Sequence, residues 1–201
     1  MAPSAPRQLK MQFEGNGQAR VLDSQQLDHL ISCITDQKFQ VLAITMRFTA
    51  ARISEARQLV WGCVGEEEIL LPKNSTKGKL ASRVIPVNPL CIGALEEWRH
   101  QWAATYKRPP RKTDPVFPGA SMDRPVTRQR FGQVLADAAA RARLTGVSSH
   151  SFRRSALSAS SASGTPLADL RTLSGHRSIP TLQVYLQTSD AAKRRAAMRF
   201  A

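Results

Sequence analysis

The sequence predicts a mainly α-helical domain with one small antiparallel β-sheet. Three observations lead there. Apolar residues recur at helical spacing over most of the chain. Only Glu66–Leu71 and Arg83–Val87 read as strands, joined by the Lys-, Ser- and Gly-rich loop NSTKGKLAS. A chain of 201 residues with 42% apolar content can bury one substantial core. No internal repeat is visible.

Residues 1–22 hold Pro3, Pro6, Gly15 and Gly17 with little periodicity and read as a flexible arm. Asp23 or Ser24 can cap a helix from about Gln25, with Leu27, Leu30, Ile31 and Ile34 inward. A second apolar helix is expected from Phe39 to Thr49, with Val41, Leu42, Ile44, Thr45 and Phe48 in the core. Arg52 then stands at a junction, before a helix that Ser54 can cap and Glu55 can favour through its first-turn charge. Pro86 and Pro89 close the sheet. A helix follows from Leu90 to about Tyr106, with Leu95, Trp98 and Trp102 on one face. Beyond the basic loop KRPPRKTDPVFPG, Thr127 or a neighbour starts a helix to Ala142 with Phe131, Val134, Leu135 and Ala138 inward. A helix opening with SHSFRRS comes next. A short one from Pro166 follows it, capped by Thr165, with Leu167, Leu170 and Leu173 inward. Ser178 caps a helix expected to carry Tyr185, and Asp190–Phe200 reads as a terminal helix.

Composition narrows the function. The net charge is +14, and residues 1–98 contribute almost none of it, with 11 Lys/Arg against 10 Asp/Glu. Residues 99–130 carry 8 against 2, and residues 141–201 carry 10 against 2. A basic second half suits a polyanion, because each Lys or Arg that meets a phosphate releases condensed counterions. No apolar run is long enough to span a bilayer, and no basic helix has a Trp/Phe/Leu face, so no membrane partner is expected. Cys33, Cys63 and Cys91 lack any CxxC spacing, and the four histidines are too far apart for an HExxH pair. A reduced, cytoplasmic, metal-free and cofactor-free protein is expected.

The chemistry concentrates between Ser149 and Tyr185. His150 and Arg153 share a helix face at i,i+3 spacing, a Ser174-Gly175 turn presents His176, and Tyr185 follows. Guanidinium groups at Arg52 and Arg153 can give paired N–H donors to phosphoryl oxygens, which lysine could meet only as a point charge. Tyr185 is the phenol placed as nucleophile, since the other tyrosine, Tyr106, lies beside the basic loop. A free phenol with a pKa of about 10 is only ~0.1% ionised at neutral pH, so neighbouring cations or a base must activate it. A lone His or Tyr on a helix is more often a packing residue, and it is the ordered set that carries the reading.

Taken in order, ARISE, STKGKLASRVIPV, HSFRR, LSGH and a Tyr nine residues after that His resemble the tyrosine recombinases, the family of phage integrases and chromosome-dimer resolvases. The resemblance covers roughly residues 23–190 and implies that family's catalytic domain over residues 23–189. It implies a site-specific DNA recombinase that forms a 3′-phosphotyrosine intermediate on double-stranded DNA without metal. Arg52, Lys77, His150, Arg153, His176 and Tyr185 would be catalytic. His150 would assist proton transfer, His176 would hydrogen-bond the phosphate, and Lys77 or Lys79 would protonate the leaving 5′-hydroxyl, with Lys77 fitting the Lys-Gly turn better. Glu55 would support the site, and Lys79, Arg154 and Arg177 would meet DNA. A homotetramer on DNA is implied, with residues 190–201 as a segment to dock on a neighbouring subunit. Localisation at the nucleoid would follow.

Two departures bear on this expectation. The roughly 22 residues before the first helix are too few for the family's N-terminal DNA-binding domain. Either the chain is an isolated catalytic domain or it resembles the short recombinases of the family. Weak DNA binding, or binding that needs an accessory DNA-binding protein, would follow in both cases. Arg154 also stands where many relatives have His. A topoisomerase-like cleavage and religation enzyme and a non-catalytic DNA-binding accessory remain the alternatives.

Overall fold

The computed structural model describes residues 18–72, 82–186 and 197–198. It contains eight α-helices and two strands among those residues. Helix α1 (Ser24–Ser32) begins at Asp23, whose carboxylate accepts the Gln26 N–H while the Gln26 side chain returns to the Asp23 N–H. Helix α2 (Gln37–Thr49) is capped by Asp36 and ends at Ala50 in the left-handed conformation. It is the central helix, packed against α4 (Pro89–Tyr106) on one side and α6 (Ser149–Ala162) on another. The remaining elements are α3 (Ile53–Ala56), α5 (Arg128–Arg141), α7 (Leu167–Ser174) and α8 (Ile179–Gln183).

Strands β1 (Glu68–Leu71) and β2 (Arg83–Pro86) pair antiparallel, with Ile69 opposite Ile85 and Leu71 opposite Arg83. Ile69, Leu71 and Ile85 face the core and their neighbours face out, the alternation of a sheet covered on one side. The main core joins the inward faces of α1, α2, α4, α5 and α6 to this sheet through Leu30, Leu42, Met46, Trp102, Phe131 and Phe152. The Trp98 and Trp102 indoles each find a carbonyl, those of Val116 and Pro115, so two large rings are buried without an orphaned donor. A second, smaller cluster of Ala50, Leu157, Leu170 and Leu182 holds α7 and α8 against α6.

Several expectations need correction. The arm does not extend through residue 22: Ala19 and Leu22 are buried, and the Leu22 N–H donates to Ser155 Oγ at 2.8 Å. The Ser155 hydroxyl on α6 captures the chain that the Pro and Gly content had suggested was loose. Ser54 does not cap α3, whose N-cap is Arg52. Thr165 does not cap α7, which starts after Pro166 with no side-chain cap. Leu173 is exposed, because a helix this short buries only the stripe through Leu170 and Ser174. The strands are also shorter than expected, at four residues each. Tyr185 lies just past α8 rather than on it, in the turn where the Tyr185 N–H donates to the Leu182 carbonyl.

Candidate active site

The site forms where four chain segments meet. Helix α6 starts at Ser148, whose hydroxyl and that of Ser151 satisfy the helix N-terminus reciprocally. His150 and Arg153 therefore project from the first turn and a half, His150 exposed and Arg153 buried. Arg153 Nη1 donates to the Ala50 carbonyl at 2.6 Å and Nη2 to the Ser174 carbonyl at 2.7 Å. One guanidinium thus ties the end of α2 to the end of α7. Its Nε has no hydrogen-bond partner among the described residues.

The left-handed turns at Ala50 and Gly175 make this possible, since each swings the chain round at a helix end. After Gly175 comes His176, only 9% exposed, with Nδ1 2.7 Å from Ser174 Oγ and both ring nitrogens within 3.4 Å of Arg153 Nη2. The Tyr185 ring packs against His176 with centroids 4.8 Å apart, lies 6.5 Å from His150, and has the Arg153 guanidinium 5.6 Å from its centre. The predicted His150, Arg153, His176 and Tyr185 are brought together.

Arg52 and Glu55 close the other side. The buried Glu55 carboxylate accepts from the Arg52 N–H at 2.7 Å and from Arg52 Nη1 at 3.1 Å. It is at once a helix-start group and a partner of the site arginine. The sequence reading missed Arg83. From β2 this side chain sets Nη2 3.1 Å from Glu55 Oε2, an ion pair without hydrogen-bond alignment, and donates Nη1 to the Ser174 carbonyl. The available signal was an arginine at the first position of a strand leaving the lysine loop, in a sheet with one buried face. Lys77 and Lys79, the candidate general acids, lie outside the described residues. Arg154 turns to the Ala19 carbonyl and so anchors the docked N-terminal segment, and Arg177 is exposed beside His176.

Three guanidinium groups share one carboxylate, so the pocket carries excess positive charge. Burial, then the charge of Arg52, brings Arg153 down from its ordinary value to about 9, which still leaves it charged at neutral pH. Burial, followed by Arg153, Arg52 and Arg83, lowers His176 to about 3 and keeps the imidazole neutral. His150 is shifted down in the same way, by partial burial, then Arg153, Arg128 and Arg52. Such a pocket favours an anion, whose arrival would relieve the repulsion among its cations. Tyr106 offers no rival site: its ring stacks on Trp102 at 4.5 Å, and burial raises its phenol. Among the described residues no group of three or more His, Cys, Asp or Glu gathers to hold a metal ion, and no helix is long and apolar enough to cross a membrane.

Comparison with known proteins gives the family and the fold. The phage integrase family matches residues 20–192, and the chain belongs to that family. A putative integrase/recombinase of Sinorhizobium fredii, y4qK, is 28% identical over 83% of this chain and 52% of its own length. The tyrosine recombinase XerD of Mycobacterium tuberculosis is 33% identical over 68% of this chain and 43% of its own. The chain thus spans about half the length of the curated relatives it matches. Among solved structures, XerA recombinase superposes with a TM-score of 0.75 at 19% identity, covering 90% of this chain and 65% of that one. The catalytic domain of bacteriophage HP1 integrase gives 0.61 at 19% identity, over 84% and 87%. These likenesses establish the fold, mainly helical with a small antiparallel sheet, as that of tyrosine recombinase catalytic domains.

Proposed function

We propose that this chain cleaves and rejoins double-stranded DNA at specific sites through a 3′-phosphotyrosine intermediate. The observation that carries the reading is the contact of the Tyr185 phenol with His176, above Arg153 and beside His150, in a pocket with more guanidinium groups than carboxylates. Tyr185 Oη attacks the scissile phosphorus and the bond to the 5′-oxygen breaks, so the phosphate is passed from deoxyribose to tyrosine. Attack adds the tyrosinate charge to the single charge of the diester, giving a pentacoordinate species of charge −2. Arg52, Arg83 and Arg153 against Glu55 leave a net +2, which matches it. Arg153 and Arg52 offer N–H donors to the non-bridging oxygens.

His150 assists removal of the phenolic proton, and its depressed pKa keeps it available as a base at neutral pH. His176 hydrogen-bonds the phosphate. A lysine of the 73–81 loop, Lys77 ahead of Lys79, protonates the departing 5′-hydroxyl. The phosphotyrosine bond conserves the energy of the diester, so rejoining needs neither a nucleotide cofactor nor a metal. Arg177 and Lys79 contribute backbone contacts, and synapsis as a homotetramer, with 190–201 docking on a neighbour, follows the family pattern. An accessory DNA-binding protein can add to the affinity.

The test is covalent trapping on duplex DNA nicked beside the scissile phosphate. A denaturation-resistant adduct should form in the presence of a chelator and be absent in Tyr185→Phe, which should still bind the same DNA. DNA binding without any adduct would instead favour the accessory reading.

A further inference from the structure

Ser174 is fully buried at the end of α7 and is joined to its surroundings through two groups. Its carbonyl accepts from Arg153 Nη2 and from Arg83 Nη1. Its hydroxyl lies 2.5 Å from the Leu170 carbonyl and 2.7 Å from His176 Nδ1. A carbonyl can only accept, so the bond to Leu170 uses the single hydroxyl proton of Ser174. The bond to His176 must then run the other way, from Nδ1–H to Oγ. That leaves Nε2 unprotonated, 3.3 Å from the Arg153 guanidinium, which can only donate. Every hydrogen in this network has one consistent place.

The turn itself is held from the sheet. Gly175 has φ +65, and a Cβ there would fall 1.9 Å from Arg83 Nη1, so Arg83 occupies the space that any other residue would fill. We infer that Ser174 and Arg83 are positioning residues for His176: Arg83 and Arg153 pin the Ser174 carbonyl, and the Ser174 hydroxyl decides which ring nitrogen carries the proton. The inference rests on the proposed reading only for its consequence in DNA cleavage. To hydrogen-bond a phosphate oxygen, His176 needs its proton on Nε2. The hydroxyl permits this by turning its O–H from the Leu170 carbonyl to Nδ1, while solvent water removes one ring proton and supplies the other. Neither residue need touch DNA.

Two readouts test it. The first uses the full chain without DNA at neutral pH: two-dimensional nitrogen NMR of the histidine rings, with His176 assigned from H176Q. The unaltered chain should show His176 as the neutral Nδ1–H form, Ser174→Ala should lose that preference, and Arg83→Gln should weaken it. An Nε2–H ring in the unaltered chain, or unchanged His176 signals in both variants, would overturn the inference. The second readout is single-turnover adduct formation on nicked DNA. S174A and R83Q should each slow it by about tenfold to a hundredfold, the scale of a slightly misplaced group, with DNA affinity changed less than about twofold. Because Ser174 acts through His176, combining S174A with H176Q should add little further loss, whereas R83Q also removes a pocket charge and should add to it. A loss from S174A that multiplies with H176Q would show that Ser174 does not act through His176 and would overturn the inference. If the unaltered chain forms no adduct, the proposed function fails, and the ring signals still decide this point.

Discussion

Arg153 and His176 show what burial does to single residues here. The arginine keeps its charge because two carbonyls, those of Ala50 and Ser174, replace the water it loses. The histidine gives up its charge because burial strips its water and three arginines surround it. Its pKa is about 3 in the fold against an ordinary 6.5. Between those values the unfolded chain binds a proton that the folded pocket refuses. Stability therefore rises with pH across the window and is lost as pH falls from about 6.5 toward 3. His176→Gln should remove that contribution. Denaturant midpoints of the two proteins, compared at successive pH values, should shift in favour of H176Q below about pH 6.5 and run parallel above it. A constant difference would refute this. The arginine, histidine and tyrosine positions were legible because their chemistry is unusual at that spacing. Arg83 was not, because nothing in its own segment distinguishes a strand-end arginine on the surface from one folded back beneath a glycine turn.

At the scale of elements, α7, the Gly175 turn and α8 form a unit attached to the rest by a small apolar cluster. Leu182, fully buried, is its central side chain. Leu182→Ala should cost about 2 kcal/mol, the low end for a buried leucine, because a short helix can partly collapse into the gap. The effect should appear as faster amide exchange in 167–186 and slower adduct formation, with the main core exchanging as before. Gly175→Ala should cost about 1–2 kcal/mol for the left-handed backbone alone and displace Arg83 as well. Thermal melting would measure it, and a variant as stable as the parent would contradict the assignment of that turn. The sequence placed these helices correctly but put Tyr185 on one of them. The helix in fact stops at Gln183, and Tyr185 stands in the following turn, where its ring can lie against His176.

For the whole molecule, the charge of +14 sits mainly in the second half of the chain. Binding to DNA should therefore weaken steeply with salt, the logarithm of the affinity falling by about 0.9 per phosphate neutralised for each unit in the logarithm of salt concentration. Titrations of a duplex at several salt concentrations would give the number of phosphates met, and a salt-independent affinity would refute the electrostatic reading. The docked segment 18–22 belongs at this scale too. It joins α6 through Ser155 and Arg154, and reaches the 143–148 turn through the Arg20 N–H to the Gly146 carbonyl. Position in the chain suggested a loose arm, but a hydroxyl more than a hundred residues away holds it.

By itself the sequence determined the helical class, the strand pair, the Ser178 cap, helix starts near Asp23 and Thr127, and the candidates Arg52, His150, Arg153, His176 and Tyr185. Those features depend on local periodicity, on short-range hydrogen bonding and on residue chemistry. Only the tertiary structure decided that Arg83 joins Glu55 and the Ser174 carbonyl, that the Ser174 hydroxyl faces His176, and that Arg154 serves the N-terminal segment. The Arg83 and Arg154 contacts join segments distant in the chain, where hydrogen bonding offsets the cost of burial. The Ser174–His176 contact, though only two residues apart, rests on a Gly175 turn packed against Arg83. No local pattern records which distant partner will be there.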